Sequence, residues 1–534
     1  MAVFGIDLGT TYSCIAQVDD SGRPVVIKNA IGEDTTPSVV FFETEGNVVV
    51  GREAKNSAKL SPDLVVSLIK RRMGEDVELE FHGQRHTPVT VSALILRELA
   101  RAAEESVHLP VRDVVITVPA YFGIREREAT RAAGVAAGLT VLNVVPEPVA
   151  AALHYEVMGG TDQERNILVY DLGGGTFDTT VIRISGSEIR VVCTDGDHHL
   201  GGADWDERIT TLLVNRFLAE HPDSDAADSE EFLQEVATGA EEVKRALSSL
   251  RKRPFTLRWD GESARVEVTR EEFEEATAHL LDRTAEITRR TVEAAKAKGV
   301  DDFDAVLLVG GSTRMPAVQE MLRRRFGFEP LLHDPDLAVA KGAALYALIE
   351  SVKVQLPDED DDGLEQVAAE LGIAAESVKA VVGKRVTAVV PRAFGVKVLS
   401  EGHPEADGEG FIVDHLLHAN AALPAAPPTQ TYGTAFADMV TIELEIWEQA
   451  GATESSRLAD NAKIGAGRID NLPPLPMNSP VRVTFTMDEM GTLRMHGVEG
   501  VTRQEVSVEL AIAGLSSEQL DDARTAVAKY DVSA

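Results

Sequence analysis

Ile167 to Thr180, ILVYDLGGGTFDTT, decides how this chain is read. An apolar strand, Ile167 to Tyr170, ends at Asp171 and runs into Gly173-Gly174-Gly175-Thr176, after which Asp178 opens a return strand. A glycine turn at the end of a strand exposes backbone N–H groups that can face phosphate oxygens. Two carboxylates, a hydroxyl and that turn suit a metal-bound phosphate; they also suit an ordinary hairpin with a flexible turn. The chain repeats the pattern near its start, where Val3 to Ile6 leads to Asp7, Gly9, Thr10 and Thr11 and then a strand from Ser13 to Val18. Asp7 and Asp171 stand 164 residues apart, a spacing that fits duplicated lobes. Facing hairpins of this kind predict a nucleotide cleft between two lobes.

At 534 residues the chain exceeds the roughly 250–300 at which a single core stops growing, so more than one domain is expected. Hydrophobic content of 44% supplies a large core, and no stretch approaches the ~20 apolar residues of a membrane helix. The first strand begins at once, leaving no room for a signal peptide, and Cys14 and Cys193 form neither a CxxC nor a metal spacing. Both features fit a reducing, cytoplasmic setting. The net charge of −35, from 87 acidic against 52 basic residues, argues against nucleic acid or an anionic membrane as the main partner.

Ser57 to Gly74 reads as a helix closing on Lys70-Arg71-Arg72, which either complements the helix dipole or brings a lysine into the cleft. Glu147, between Pro146 and Pro148, is a helix-start acid or a group that orients water or metal. Glu241, Lys244 and Ser248 share one helix face, as a surface ion pair or as a polar face against ribose and base. The apolar strand before Gly310-Gly311 ends at a helix start, another cradle for phosphate or adenosine. Neither a P-loop nor a GxGxxG fingerprint is present. Leu356 to Gly363 is an acidic, proline-bearing segment, and Leu364 to Val382 is helical with a turn at Gly372. From Val386 onward the pattern alternates as in β-strands, and Ser516 to Tyr530 forms a last helix.

Six motifs in order resemble the DnaK-type seventy-kilodalton heat-shock chaperone family. They are Gly5-Ile6-Asp7-Leu8-Gly9-Thr10-Thr11, Val118-Pro119-Ala120-Tyr121-Phe122, Glu147-Pro148-Val149-Ala150-Ala151-Ala152, Asp171 to Asp178, His199-Leu200-Gly201-Gly202 and Gly310-Gly311-Ser312-Thr313-Arg314. The resemblance implies an α/β actin-like two-lobed ATPase domain followed by a β-sandwich peptide-binding domain. Its implied boundaries are 1–353 for the ATPase domain, 354–386 for an acidic linker with a helical insert, 387–512 for the sandwich and 513–534 for a truncated lid. The cofactors implied are ATP or ADP with Mg²⁺, and K⁺ as a second candidate cation.

By the same resemblance Asp7, Asp171 and Asp178 hold Mg²⁺, partly through water, while Lys70 and Glu147 position the attacking water and Thr176 lies near the γ-phosphate. Gly9, Thr10, Thr11, Tyr12, Gly173, Gly174, Gly175, Gly201 and Gly202 grip phosphates. Glu241, Lys244, Arg245, Ser248, Gly310, Gly311, Ser312, Arg314 and Asp336 hold the nucleotide's adenosine end. Matching the sandwich loops gives Val396, Val398, Leu399, Tyr432, Ala435, Val440 and Ile442 as peptide-binding candidates, with sandwich core as the rival role for each. The family's partners are unfolded or extended polypeptides, a J-domain co-chaperone and a nucleotide-exchange factor.

Three departures accompany the resemblance. Val352-Lys353-Val354-Gln355-Leu356 replaces the family's acid and consecutive leucines, the helical lid is nearly missing, and Pro146 precedes the Glu-Pro pair. Two other functions stay open: a module that binds one dedicated partner with hydrolysis as a timer, and a small-molecule kinase on the same fold.

Overall fold

The computed structural model describes residues 2–159, 163–356, 361–400, 402–451, 453–488, 491–510 and 517–534. The repeat seen in the sequence is a repeat in topology. In the first sheet Val3–Asp7 pairs antiparallel with Tyr12–Val18 and parallel with Asp113–Val118. In the second, Arg165–Leu172 pairs antiparallel with Phe177–Ser185 and parallel with Ala305–Val309. The first lobe adds helices α1 (Arg52–Ser57), α2 (Pro88–Val107) and α3 (Ile124–Ala136), and α4 (Glu147–Gly159) follows. The second lobe adds α5 (Gly202–Glu220), α6 (Glu230–Leu247), α7 (Arg270–Ala297) and α8 (Pro316–Phe326), and α9 (Ala338–Gln355) follows.

Helices α4 and α9 bury small apolar residues in one core with Val3 and Val115 of the first sheet and Ile167 and Val169 of the second. Their alanines are a packing requirement. A Cβ on Gly342 of α9 would lie 1.8 Å from the Ala150 carbonyl oxygen of α4, and one on Gly5 would lie 2.0 Å from the Ala344 nitrogen. Backbones meet there with no room for a side chain, so both lobes are fastened along this seam.

Ser57 to Gly74 is not one helix. After α1 come two 3₁₀ turns, Pro62–Leu64 and Ile69–Arg72, flanking the short strand Val65–Val66, and Leu68 takes φ 57°. Proline and adjacent β-branched valines break the helix expected over this stretch. Lys70 therefore sits on a tight buried turn.

Residues 357–360 of the acidic run lie outside the described residues. Beyond them α10 (Asp361–Leu371) and α11 (Ala375–Val382) bury Leu364, Val367, Ala368, Val378, Val381 and Val382 against the interlobe core. Amphipathic spacing in this insert thus serves attachment, not extension from the surface. The chain then adds Arg385–Thr387 as a parallel strand at the edge of the second sheet, beside Glu188–Asp197.

The C-terminal β-region, here the β-domain, has two four-stranded antiparallel sheets. One orders Phe411–Leu417, Phe394–Leu399, Ile442–Gln449 and Asn461–Ile469; the other Gln430–Gly433, Pro480–Met487, Leu493–Glu499 and Glu505–Leu510. Their buried faces share a core that includes Phe394, Ile446, Val483, Phe485 and Leu493. This region is docked on the N-terminal lobes. The Ile124 amide donates to Glu448 Oε1 (3.2 Å), the Tyr121 hydroxyl to the Gly451 carbonyl (2.9 Å) and the Thr194 amide to Asn420 Oδ1 (2.8 Å). Arg392 donates to the Tyr121 carbonyl, lies over its ring and pairs with Glu126.

Helix α12 (Ser517–Ala528), expected as a lid remnant, is seated on the first lobe against α2 and α3. Asp531–Ser533 follows it as a parallel strand on Asn47–Val50. Its apolar face, Ala523, Val527 and then Tyr530 and Val532, belongs to the first-lobe core, which is why it packs there. Residues 513–516 of the expected lid lie outside the described residues. Among the described residues no helix is long and apolar enough to cross a membrane.

Candidate functional site

The two hairpin turns meet across a cavity of about 620 Å³. The first turn is fixed within its own lobe: the Gly9 amide donates to Ser13 Oγ (3.1 Å) and Ser38 Oγ donates to the Gly9 carbonyl (2.8 Å). The second is fixed from several sides. Ser312 Oγ and the Gly202 amide both donate to the Gly173 carbonyl, at 3.0 and 2.9 Å, and the Ala203 amide donates to the Gly174 carbonyl. Arg71, from the opposite lobe, donates Nε to the Gly175 carbonyl (2.9 Å) and pairs with Asp204. The turns are so close that a Cβ on Gly174 would lie 2.0 Å from Thr11 Oγ1. Glycine is required there to bring the lobes together.

Lys70 is the cation at the centre of this cleft. It is 3% exposed and donates Nζ to Glu147 Oε1 at 2.5 Å. Around the pair lie two buried carboxylates, Asp171 and Asp178, and the half-buried Asp7. Thr117 Oγ1 donates to Asp7, and the Tyr121 amide donates to Asp178 Oδ1 at 3.1 Å. Burial, then the charge of Glu147, pushes Asp7 up to about 7, with Lys70 opposing. The same two causes push Asp178 up to about 7. Burial holds Asp171 well above the carboxylate range, with Glu147, Asp178 and Asp7 adding repulsion. Buried oxygens with excess negative charge are what a hard divalent cation neutralises, and Mg²⁺ takes oxygen ligands, several of them water. Among the described residues no three acids, histidines or cysteines cluster tightly enough to hold an ion by themselves. A Mg²⁺ ion here would therefore complete its shell with phosphate and water, as the resemblance implied. The residues present fit that mode of binding.

The far end of the cavity is polar. Glu241, Lys244 and Arg245 line it from α6 and Ser248 from that helix's C-terminal cap, with Gly310, Gly311, Ser312, Arg314 and Asp336 from elsewhere in the second lobe. Gly310 has φ 82°, and a Cβ there would fall 2.3 Å from the Leu172 carbonyl oxygen, so the turn is open only to glycine. Arg314 pairs with Asp336. Glu241 accepts from the Tyr12 hydroxyl (2.8 Å) and forms an ion pair with Lys55 of α1, which bridges the cleft mouth. Lys244 donates to Asp206 Oδ2 (2.7 Å) and to the Gly202 carbonyl (2.8 Å).

Gly9, Thr10, Thr11, Tyr12, Gly173, Gly174 and Thr176 line the cavity with Asp7, Lys70, Glu147 and Asp171. Asp178, Gly175, Gly201 and Gly202 do not. The amides of Gly201 and Gly202 are donated to Asp204 Oδ2 and the Gly173 carbonyl, so these glycines brace the second turn. A Cβ on Gly201 would sit 2.5 Å from Gly175 backbone, which explains the paired glycines. Lys55, Arg71, Asp204 and Asp206 were not anticipated. Lys55, Arg71 and Asp206 find their partners on other elements, and Asp204, besides capping its own helix at Gly201, pairs with Arg71 of the other lobe. Cys14 lines the cavity, but burial, with Asp7 next in effect, pushes its thiol well up, which disfavours a reactive thiolate. Burial raises Cys193 to about 12.

The seven residues matched to a peptide groove divide. Val396 and Ile442 are buried in the core shared by the two β-sheets. Val398 and Tyr432 are half-buried against that core, and the Tyr432 hydroxyl donates to Asp414. Leu399 and Ala435 are half-buried, and Val440 is 50% exposed. Phe436, one residue beyond Ala435, is 58% exposed and was missed. Its loop is tied to the Leu475–Ser479 segment by the Thr434, Asp438 and Leu475 backbone amides. Met477, also exposed, lies on that segment.

The model of the Hsp70 protein family matches residues 3–391, nearly three-quarters of the chain, so the chain belongs to the Hsp70 family, whose members are ATPases that bind ATP or ADP with Mg²⁺ and act as ATP-dependent chaperones.

Proposed function

We propose that this chain is a DnaK-type chaperone that hydrolyses Mg-ATP in the interlobe cleft and binds extended apolar segments of unfolded polypeptides on its β-sandwich. The observation that carries the reading is the buried Lys70–Glu147 pair beside Asp7 and Asp171 in the cavity that the glycine turns of both lobes line. Phosphoryl transfer needs positioning and charge neutralisation more than covalent chemistry. Mg²⁺, when bound, supplies much of that neutralisation. Lys70 adds a fixed positive charge, and Glu147, held by Lys70, is placed to orient a water and accept its proton. Thr176 offers a hydroxyl beside the γ-phosphate position. Phe436, Val440 and Met477, exposed on loops that are hydrogen-bonded to one another, offer the peptide apolar side chains. Partners of the J-domain and nucleotide-exchange classes belong to the same reading.

The docked interface through Tyr121, Ile124 and Arg392 supports communication between cleft and sandwich. Tyr121 gives its amide to Asp178 and its hydroxyl to Gly451. A small-molecule kinase would leave that interface without a role. In Lys70→Ala, single-turnover hydrolysis should fall roughly 10²–10⁴-fold while ATP still binds. Unchanged single-turnover hydrolysis in that variant would contradict the reading.

A further inference from the structure

The β-domain is anchored to both lobes, and the two anchors lie outside its own sheets. On one side Arg385–Thr387 is a strand of the second-lobe sheet. Seven peptide steps separate Thr387 from Phe394, where the β-domain's first strand begins, a reach of at most about 25 Å. On the other side, Leu510 ends the last β-domain strand and Ser517 begins α12 on the first lobe, again seven steps and about 25 Å at most.

The second anchor is built as a seat. Tyr530 is 2% exposed, with its ring edge-on to Phe42 and its hydroxyl 3.0 Å from His86 Nε2 and 3.2 Å from Gln84 Oε1. Arg97 donates to the Val527 carbonyl (2.8 Å), Arg524 to the Val135 carbonyl, and the Asp531 amide to the Gly46 carbonyl (2.8 Å). A surface helix that only ended the chain would need neither a fully buried aromatic residue nor a strand added to the lobe's sheet.

We propose that residues 517–534 are a strap that holds the β-domain in its docked position. With both ends fastened to different lobes, re-docking is an intramolecular event at high effective concentration. The β-domain then follows the lobes as they move and does not swing free on one connection. This strap depends on contacts within the chain and stands whether or not ATP is hydrolysed.

Amide exchange in the full chain reads the docking directly, because the Ile124 and Thr194 N–H groups are donated across the interface to Glu448 and Asn420. Two variants separate tether from seat. The first inserts about forty Gly/Ser residues between positions 513 and 514, which keeps every strap contact but lowers the effective concentration on the order of tenfold. The second is Tyr530→Ala, which unseats the strap. In both, exchange at Ile124 and Thr194 should speed up about tenfold or more, while Val169 and Leu307 in the central strands stay as protected as in the unmodified chain. Exchange at Ile124 and Thr194 that is unchanged by the insertion would overturn the proposal. If Tyr530→Ala also loosens Val169 and Leu307, the insertion variant decides alone.

Discussion

In the cleft, the residues expected to bind are polar and converge; in the β-domain, those expected to bind are apolar and divide between core and surface. Lys70, Glu147 and Asp171 are buried and Asp7 is half-buried, and each meets an opposite charge, a donor or a ligand-sized space. A buried polar group has few other reasons to be there. A buried valine has the commonest reason of all. That difference makes the cleft a specific statement and the β-domain an ambiguous one.

The ambiguity can be broken by substitution. Ile442→Ala should destabilise the β-domain by about 2–5 kcal/mol, the range for emptying a well-packed site, measured by denaturant unfolding of that region. Phe436→Ser should leave stability within about 0.5 kcal/mol, because the ring is mostly in solvent. It should nonetheless weaken peptide binding, measured by fluorescence anisotropy of a labelled apolar peptide. The reverse pattern would exchange the core and surface assignments.

A smaller effect sharpens the contrast at the interface between the two regions. Burial pushes Glu448 up to about 7, against an ordinary value of 4.5, with Glu126 adding repulsion and Arg392 opposing both. The docked state therefore holds the proton more tightly than the undocked one. Its contribution to docking is fully present below about 4.5 and is lost as pH rises through 7, by at most about tenfold per pH unit. Exchange at the Ile124 amide, corrected for its intrinsic pH dependence, should show that loss, and Glu448→Gln should flatten it.

How much of this was legible in the sequence follows the same division. The paired Asp–Gly turns announced the two lobes because a turn that tight needs glycine and a strand on each side. Leu364 to Val382 was readable as two helices because its apolar residues recur at helical spacing around Gly372. The strand Asn461–Ile469 departs from the alternation read from Val386 onward: NAKIGAGRI carries two glycines and an asparagine, and cross-strand pairing overrides that poor propensity. Lys55 and Asp206 were missed because their meaning lies in Glu241 and Lys244, on another helix. The seat of α12 was the least legible feature. Tyr530 and His86 are 444 positions apart, and only the fold brings them together.

The central claim is that the cleft's ATPase serves polypeptide binding on the β-domain. The most direct measurement is steady-state ATP hydrolysis by the full chain, with and without several unrelated extended apolar peptides. A few-fold stimulation by most of them, lost in Phe436→Ser, is the result expected. A rate indifferent to every peptide, or raised only by a small metabolite, would contradict the account.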